Sequence, residues 1–201
     1  MTPTTTTTPT REQIIRAAKL CQQSYSAMAG ISWLDIEDLR FGLFTKGMET
    51  ELCFRGSYNW RNWGRDLFVM PKRSFDGFLI HGGVADAVET LVHGVKALLP
   101  KGGTLKVYGH SLGGGIAREF ARMLGGKAIT FGALRTDYRF GAMPVTDHYR
   151  VICADDPVPM IPGALYVQDR PADLCLASPP WVVVDPEDHF ISHYLERLES
   201  A

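Results

Sequence analysis

The motif Gly109-His110-Ser111-Leu112-Gly113 stands between a strand-like run and a helix-like run, and it constrains the fold more than any other feature. Residues 104–108 alternate as a β-strand should, and Ile116, Phe120 and Leu124 then recur at helical spacing. A serine on such a sharp turn has a strained backbone that raises its hydroxyl above the sheet. The flanking glycines allow the strand and the helix to approach closely. The motif therefore predicts a nucleophilic serine at position 111.

Length and charge narrow the functions that this serine can serve. A chain of 201 residues suits one domain with a sizeable core. Lys and Arg total 21 against 22 for Asp and Glu, a balance that favours neither nucleic acid nor an anionic membrane as a partner. No apolar run approaches the roughly 20 residues of a membrane span, and a threonine tract stands where a signal peptide would begin. We predict a soluble protein of the cytoplasm or of a host cell, with non-classical export left open.

The cysteines and the first residues carry no functional signal. The spacing of the cysteines fits neither a metal site nor a small disulfide scaffold, and it predicts reduced thiols, most of them in the core, at Cys21, Cys53, Cys153 and Cys175. Residues 1–9 are mostly Thr and Pro, a composition that predicts a disordered tail. Residues 10–201 are predicted to form a single domain.

Strand and helix patterns alternate along that domain. A capping box at residues 10–13 predicts a helix that continues to Gly30. Helical patterns recur over residues 84–99 and 191–198, and strand patterns occur at residues 41–45, 51–54, 67–70, 127–131, 149–153 and 181–184. This alternation predicts an α/β fold with a largely parallel sheet covered by helices on both faces.

A serine nucleophile needs a base, usually histidine, and an acid that holds the histidine in one tautomer. In strand-turn-helix hydrolases the acid and then the base follow the nucleophile along the chain. Asp156 follows the strand at 149–153, with Asp155 as its competitor, and His189 lies in the loop before the last helix. We therefore predict a triad of Ser111, an aspartate at 155 or 156, and His189.

Other histidines fit the role of base less well. His193 lies inside the helical repeat, His148 precedes a strand and His93 belongs to a helix. The side chain of His110, next to the nucleophile, is expected to project elsewhere and to pack near the turn. Order and spacing therefore favour His189.

An acyl-transfer site also needs donors to the oxyanion, and the residue after the nucleophile normally supplies a backbone N–H. That residue is Leu112. The second donor should follow an earlier strand, and Ser57 after Gly56 is our candidate, with a plain turn serine as an equal alternative.

Separate segments, in order, resemble the fungal-type class 3 lipases of the α/β-hydrolase fold. They are Phe54-Arg55-Gly56-Ser57, His81-Gly82-Gly83, Gly109-His110-Ser111-Leu112-Gly113-Gly114, Thr130-Phe131-Gly132-Ala133-Leu134-Arg135, Asp156-Pro157-Val158-Pro159 and Asp188-His189. In this resemblance Ser57 matches the hydroxyl-bearing oxyanion residue, and Asp156 is favoured over Asp155. It implies hydrolysis of a carboxylic ester, typically an acylglycerol, through an acyl-enzyme on Ser111, with no cofactor and no metal.

Departures from the family concern the substrate. The compact chain resembles small bacterial or bacteriophage relatives. Residues 58–64 occupy the place of the family's lid, where Trp60 and Trp63 either meet the acyl chain or are ordinary half-buried aromatics. So short a lid predicts short or medium acyl chains. The expected partner is a small-molecule or lipid ester, with at most transient contact with a lipid interface, no nucleic acid, and the oligomeric state open.

Two alternatives stay open on the sequence alone. The same triad could cleave another acyl group, such as a phospholipid, a thioester or a cell-envelope ester, because specificity depends on pocket shape. The chain could also be an inactive hydrolase-like binding module, although no triad member is missing.

Overall fold

The computed structural model describes residues 8–26, 33–36, 39–57, 70–140, 147–163, 165–168, 171–177 and 189–200. Its helices and strands, in chain order, are α1 (Arg11–Gln23), β1 (Trp33–Ile36), β2 (Leu39–Lys46), β3 (Glu49–Phe54), β4 (Pro71–Arg73), β5 (Leu79–His81), α2 (Gly82–Leu98), β6 (Thr104–His110), α3 (Leu112–Leu124), β7 (Lys127–Phe131), β8 (Asp137–Tyr138), β9 (His148–Cys153), a 3-10 turn (Val158–Met160), β10 (Tyr166–Val167), β11 (Leu174–Leu176) and α4 (Ile191–Ser200).

The main sheet has seven strands in the order β1-β2-β3-β6-β7-β9-β11. The β1-β2 and β2-β3 pairs are antiparallel, and the remaining pairs are parallel. Phe54 pairs with Gly109, and His110 pairs with Phe131, so β3, β6 and β7 end along one edge. Loops that leave this carboxyl edge therefore meet above the sheet.

Helices cover both faces of the sheet. Helices α2 and α3 contribute to one core cluster, and α1 and α4 contribute to the other. Val107 of β6 belongs to the first cluster and Tyr108 to the second, because successive side chains of a strand point to opposite faces. The predicted α/β architecture is confirmed.

Helix α1 begins as predicted and ends earlier. The Thr10 hydroxyl accepts from the Gln13 N–H, and the Gln13 side chain accepts from the Thr10 N–H at 2.9 Å. The helix ends at Gln23, not at Gly30. The Ser24 hydroxyl donates to the Cys21 carbonyl at 2.6 Å, so this carbonyl has a hydrogen-bond partner without a further turn of helix. Residues 27–30 lie outside the described residues.

A second, four-stranded antiparallel sheet, β10-β8-β5-β4, was not predicted. Its strands are two or three residues long, too short to show a period in the sequence. Arg118 of α3 makes a bidentate ion pair with Asp137 of β8, with Nη1 to Oδ1 at 2.5 Å and Nη2 to Oδ2 at 2.8 Å. This buried pair joins the second sheet to the helix that follows Ser111.

Other sequence predictions have mixed outcomes. The strands predicted at 41–45, 51–54, 127–131 and 149–153 are found as β2, β3, β7 and β9, and the helices at 84–99 and 191–198 as α2 and α4. The strands predicted at 67–70 and 181–184 fall wholly or almost wholly outside the described residues, as do residues 1–7 of the predicted tail.

All four cysteines are free thiols; Cys175 is exposed and the others are buried, as predicted for most of them. No helix within the described ranges has the length and the apolar character needed to cross a membrane.

Candidate active site

Ser111 lies on the strained turn that the motif predicts. Its backbone has φ 60° and ψ −128°, and among the described residues it alone has a positive φ without being glycine. Such a conformation costs on the order of 1–3 kcal/mol and persists only where the surroundings impose it. Here the Ser111 N–H donates to the Phe131 carbonyl at 3.0 Å, and the Ser111 carbonyl accepts from the Gly114 N–H at 3.0 Å. Both neighbours therefore hold the turn between β6 and α3.

Close backbone contacts explain the glycines on either side of the serine. A Cβ at Gly109 would collide with the backbone of Gly113, and a Cβ at Gly113 would lie 2.7 Å from the Arg55 carbonyl. The start of α3 thus lies directly against the ends of β6 and β3. Only glycine fits at both positions.

Asp156 and His189, the predicted acid and base, meet at this carboxyl edge. His189 Nδ1 lies 2.8 Å from Asp156 Oδ2, and both residues are buried. The other carboxylate oxygen, Oδ1, accepts from the Val158 N–H at 2.8 Å. An imidazole whose Nδ1–H faces a carboxylate presents Nε2 as the basic nitrogen.

Tyr194 of α4 completes the setting of the carboxylate. Its hydroxyl donates to Asp156 Oδ2 at 2.5 Å and accepts from the Cys153 N–H at 3.1 Å. Burial and the Asp156 charge raise the pKa of Tyr194 well above its ordinary value, so this phenol stays a donor. No motif or spacing in the sequence indicated this contact.

Asp155, the competing acid, points to another partner. Its carboxylate makes a bidentate ion pair with Arg197 of α4, with contacts of 2.8 and 2.9 Å. The geometry therefore pairs His189 with Asp156. Asp155 instead connects the loop after β9 to α4 through its ion pair with Arg197.

Gly132, directly after β7, leaves the room that this pair needs. It has a positive φ of 53°, and a Cβ there would lie 2.6 Å from Asp156 Oδ2 and 3.1 Å from His189 Cε1. A side chain at this position would push the acid and the base apart.

His110 does pack near the turn, and the ring it packs against is that of His189. The two ring centroids are 4.5 Å apart at 30°, a stacked arrangement. His110 Nε2 lies 2.6 Å from the His189 carbonyl oxygen, which can only accept, so Nε2 carries a proton. Burial, and then the neighbouring His189, lower the pKa of His110 well below 6.5. The His110 ring is therefore neutral.

This buried neutral ring predicts a pH-dependent stability. Below pH 6.5 an unfolded His110 binds a proton that the folded protein excludes, so the free energy of unfolding falls as the pH falls. We expect urea titrations to show that wild type loses up to about 1.4 kcal/mol per pH unit more than His110→Gln. Parallel pH dependences of the two proteins would contradict this prediction.

The other histidines set aside in the sequence have different neighbours. His148 Nε2 lies 2.8 Å from Thr130 Oγ1, and His93 packs edge-on against Phe75. His193 lies on α4, half-buried, one turn beyond His189.

The two candidate oxyanion donors flank the serine. Leu112 is the first residue of α3, and the first N–H groups of a helix have no partner within that helix. On the other side, a Cβ at Gly56 would lie 2.9 Å from Ser111 Cβ and 2.7 Å from the His110 carbonyl oxygen. Ser57, half-buried, directly follows this contact.

Trp60 and Trp63, with the rest of the predicted lid, lie outside the described residues. Within the described ranges, no cluster of His, Cys, Asp or Glu has a geometry that could hold a metal ion.

Comparison with known proteins shows the family of this chain. A family model described as Lipase (class 3) matches residues 52–166, more than half of the sequence. The chain belongs to the class 3 lipase family. The matched range includes Ser57, Ser111 and Asp156, whereas His189 and helix α1 lie outside it.

Solved structures of fungal lipases share the α/β-hydrolase fold of this family member. A Penicillium cyclopium MDLA mutant is 22% identical with a TM-score of 0.62, over 87% of this chain and 81% of its own. A Penicillium expansum triacylglycerol lipase is 20% identical with a TM-score of 0.60, over 81% and 79%. At these identities the likeness shows the fold alone.

A secreted mono- and diacylglycerol lipase from Fusarium solani is 32% identical over an alignment 136 residues long, and the match covers 59% of this chain. The match spans only 40% of the length of that enzyme. So partial a match carries neither the activity nor the substrate of that enzyme over to this family member.

Proposed function

We propose that this class 3 lipase family member hydrolyses carboxylic esters through an acyl-enzyme on Ser111. The observation that carries the proposal is that the strained Ser111 turn lies beside a buried acid–base pair: the ring of His110, which precedes Ser111, stacks on the His189 ring at 4.5 Å, and His189 Nδ1 lies 2.8 Å from Asp156 Oδ2. A strained serine, a histidine of fixed tautomer and a buried acid are the parts that acyl transfer requires.

Each residue has one role in the proposed reaction. Ser111 Oγ attacks the ester carbonyl while His189 Nε2 takes the hydroxyl proton, and Asp156 stabilises the resulting imidazolium. The Leu112 N–H and Ser57 stabilise the oxyanion of the tetrahedral intermediate.

Collapse of this intermediate completes the reaction. The bond from the acyl carbon to the alcohol oxygen breaks, and His189 returns the proton to the alcohol. A water molecule, deprotonated by His189, then attacks the acyl carbon; the bond from that carbon to Ser111 Oγ breaks, His189 returns the proton to Oγ, and the acid is released.

We propose acylglycerols or related esters with short or medium acyl chains as substrates. The relative from Fusarium solani is named a mono- and diacylglycerol lipase, which supports the acylglycerol class. The preference for shorter chains rests on the small lid predicted at residues 58–64, with Trp60 and Trp63 as its acyl-chain contacts. That relative is also named as secreted, and action in the cytoplasm or in a host cell stays a prediction.

A series of p-nitrophenyl esters from acetate to palmitate tests this proposal, with Ser111→Ala as the blank. We expect turnover with an optimum at short or medium chains, and none above background in the variant. Full activity on long-chain emulsions with interfacial activation would contradict the chain-length preference. Absence of turnover on every ester would contradict ester hydrolysis and favour another acyl group or a binding module.

A further inference from the structure

A chain of hydrogen bonds runs beneath the candidate active site from one side to the other. The Gly56 N–H donates to the Tyr25 hydroxyl oxygen at 3.0 Å, and that hydroxyl lies 2.8 Å from His110 Nδ1. His110 Nε2 then lies 2.6 Å from the His189 carbonyl oxygen. Tyr25, just beyond the end of α1, thus contacts Gly56 directly and is linked to His189 through His110.

Only one assignment of protons satisfies these contacts with a neutral His110. The His189 carbonyl accepts, so His110 Nε2 is the donor and Nδ1 is the acceptor. Because Nδ1 accepts, Tyr25 must donate its hydroxyl proton to it, and the Tyr25 oxygen stays available to the Gly56 N–H. Burial raises the pKa of Tyr25 above its ordinary value, so the phenol keeps that proton.

Both ends of this chain of hydrogen bonds lie next to reacting groups. Gly56 directly precedes Ser57 and approaches Ser111, since a Cβ on it would lie 2.9 Å from Ser111 Cβ. At the other end, His110 contacts the His189 backbone and also stacks beneath its ring at 4.5 Å. The Tyr25 ring meets the His110 ring edge-on at 5.7 Å, which fixes the plane of His110.

We propose that Tyr25 and His110 are positioning residues for the ester hydrolysis proposed above. They hold the His189 base and the Gly56–Ser57 oxyanion loop in fixed positions on either side of Ser111. This inference rests on the proposed function and extends it to the segment directly after α1, outside the matched family range. Catalytic groups must be held to within a fraction of an ångström, and a displacement of about 1 Å can cost roughly 100-fold in rate. This chain of hydrogen bonds therefore affects the chemical step and not the binding of substrate.

The first test is Tyr25→Phe, which removes one hydroxyl and keeps the ring. The reacting serines are counted by titration with a fluorophosphonate, so that kcat refers to folded sites. We expect kcat to fall about 10- to 100-fold with KM within about twofold of wild type. Tyr149→Phe removes another half-buried hydroxyl packed on the same core cluster, and its kcat should equal that of wild type.

The second test asks whether Tyr25 and His110 act as one unit. His110→Phe keeps an aromatic ring beneath His189 and removes both hydrogen bonds. If the two residues act through one chain, Tyr25→Phe combined with His110→Phe lowers kcat no further than the more damaging single change. A double variant whose fold-loss in kcat equals the product of the two single fold-losses would overturn the inference.

The results separate this inference from the proposed function. If wild type is active and Tyr25→Phe has the same kcat per titrated site, the positioning role of Tyr25 and His110 is overturned and the proposed function stands. An equal rise of KM and fall of kcat/KM at constant kcat would also overturn it, because it would indicate a binding role. A wild type that hydrolyses no ester would overturn both.

Discussion

Replacing His189 with alanine is expected to lower kcat/KM for a p-nitrophenyl ester by about 10⁴- to 10⁶-fold. The change removes the group that takes the Ser111 proton and returns it to the leaving alcohol. His110 cannot substitute for it, because its Nε2 donates to the carbonyl of residue 189 and its Nδ1 faces Tyr25. Steady-state kinetics with the soluble ester series measure the loss.

His193 provides the matched control for this experiment. It lies on α4 one turn beyond His189 and is half-buried, and it has no role in the proposed reaction. His193→Ala should keep kcat/KM within about threefold of wild type. A comparable loss in both variants, or full activity of His189→Ala, would contradict the assignment of His189 as base.

Replacing Asp156 with asparagine is expected to lower kcat by about 10⁴-fold. Three donors converge on this carboxylate: the Val158 N–H, the Tyr194 hydroxyl and, across 2.8 Å, His189 Nδ1. An asparagine has one acceptor oxygen and one NH₂ group, so at least one contact becomes donor against donor. His189 then loses the acid that fixes its tautomer and stabilises its charged form.

Asp155→Asn separates catalysis from stability in the same loop. Its carboxylate pairs with Arg197 and not with His189, so this variant should melt earlier while kcat stays near that of wild type. Thermal melts and kcat, measured on both variants, are sufficient. A larger kcat loss in Asp155→Asn than in Asp156→Asn would reverse the assignment of the acid.

Much of the site could be predicted because its parts have local signatures. Strand alternation, the Gly-x-Ser-x-Gly spacing and the helical repeat fixed the Ser111 turn within a short window. Asp156 and His189 each follow from chain order, although the carboxylate contacts were needed to separate Asp156 from Asp155 on geometric grounds.

What the sequence could not predict depends on contacts across the fold. Tyr25 is 85 residues from His110, and His110 is 79 residues from His189, so no periodic pattern links them. The second sheet escaped prediction for another reason, since two- and three-residue strands show no alternation. In the sequence Tyr25 was only one position of the helix predicted to continue to Gly30.

Labelling with a fluorophosphonate, followed by mass spectrometry of the digested protein, tests the central claim most directly. These reagents phosphonylate a serine only when a neighbouring base activates it, so the reaction reports the assembled site before any substrate is known. We predict one adduct, on the peptide that carries Ser111, and none in Ser111→Ala. Absence of labelling on the folded wild-type protein, or an adduct on another serine, would contradict the assignment of Ser111 as an activated nucleophile.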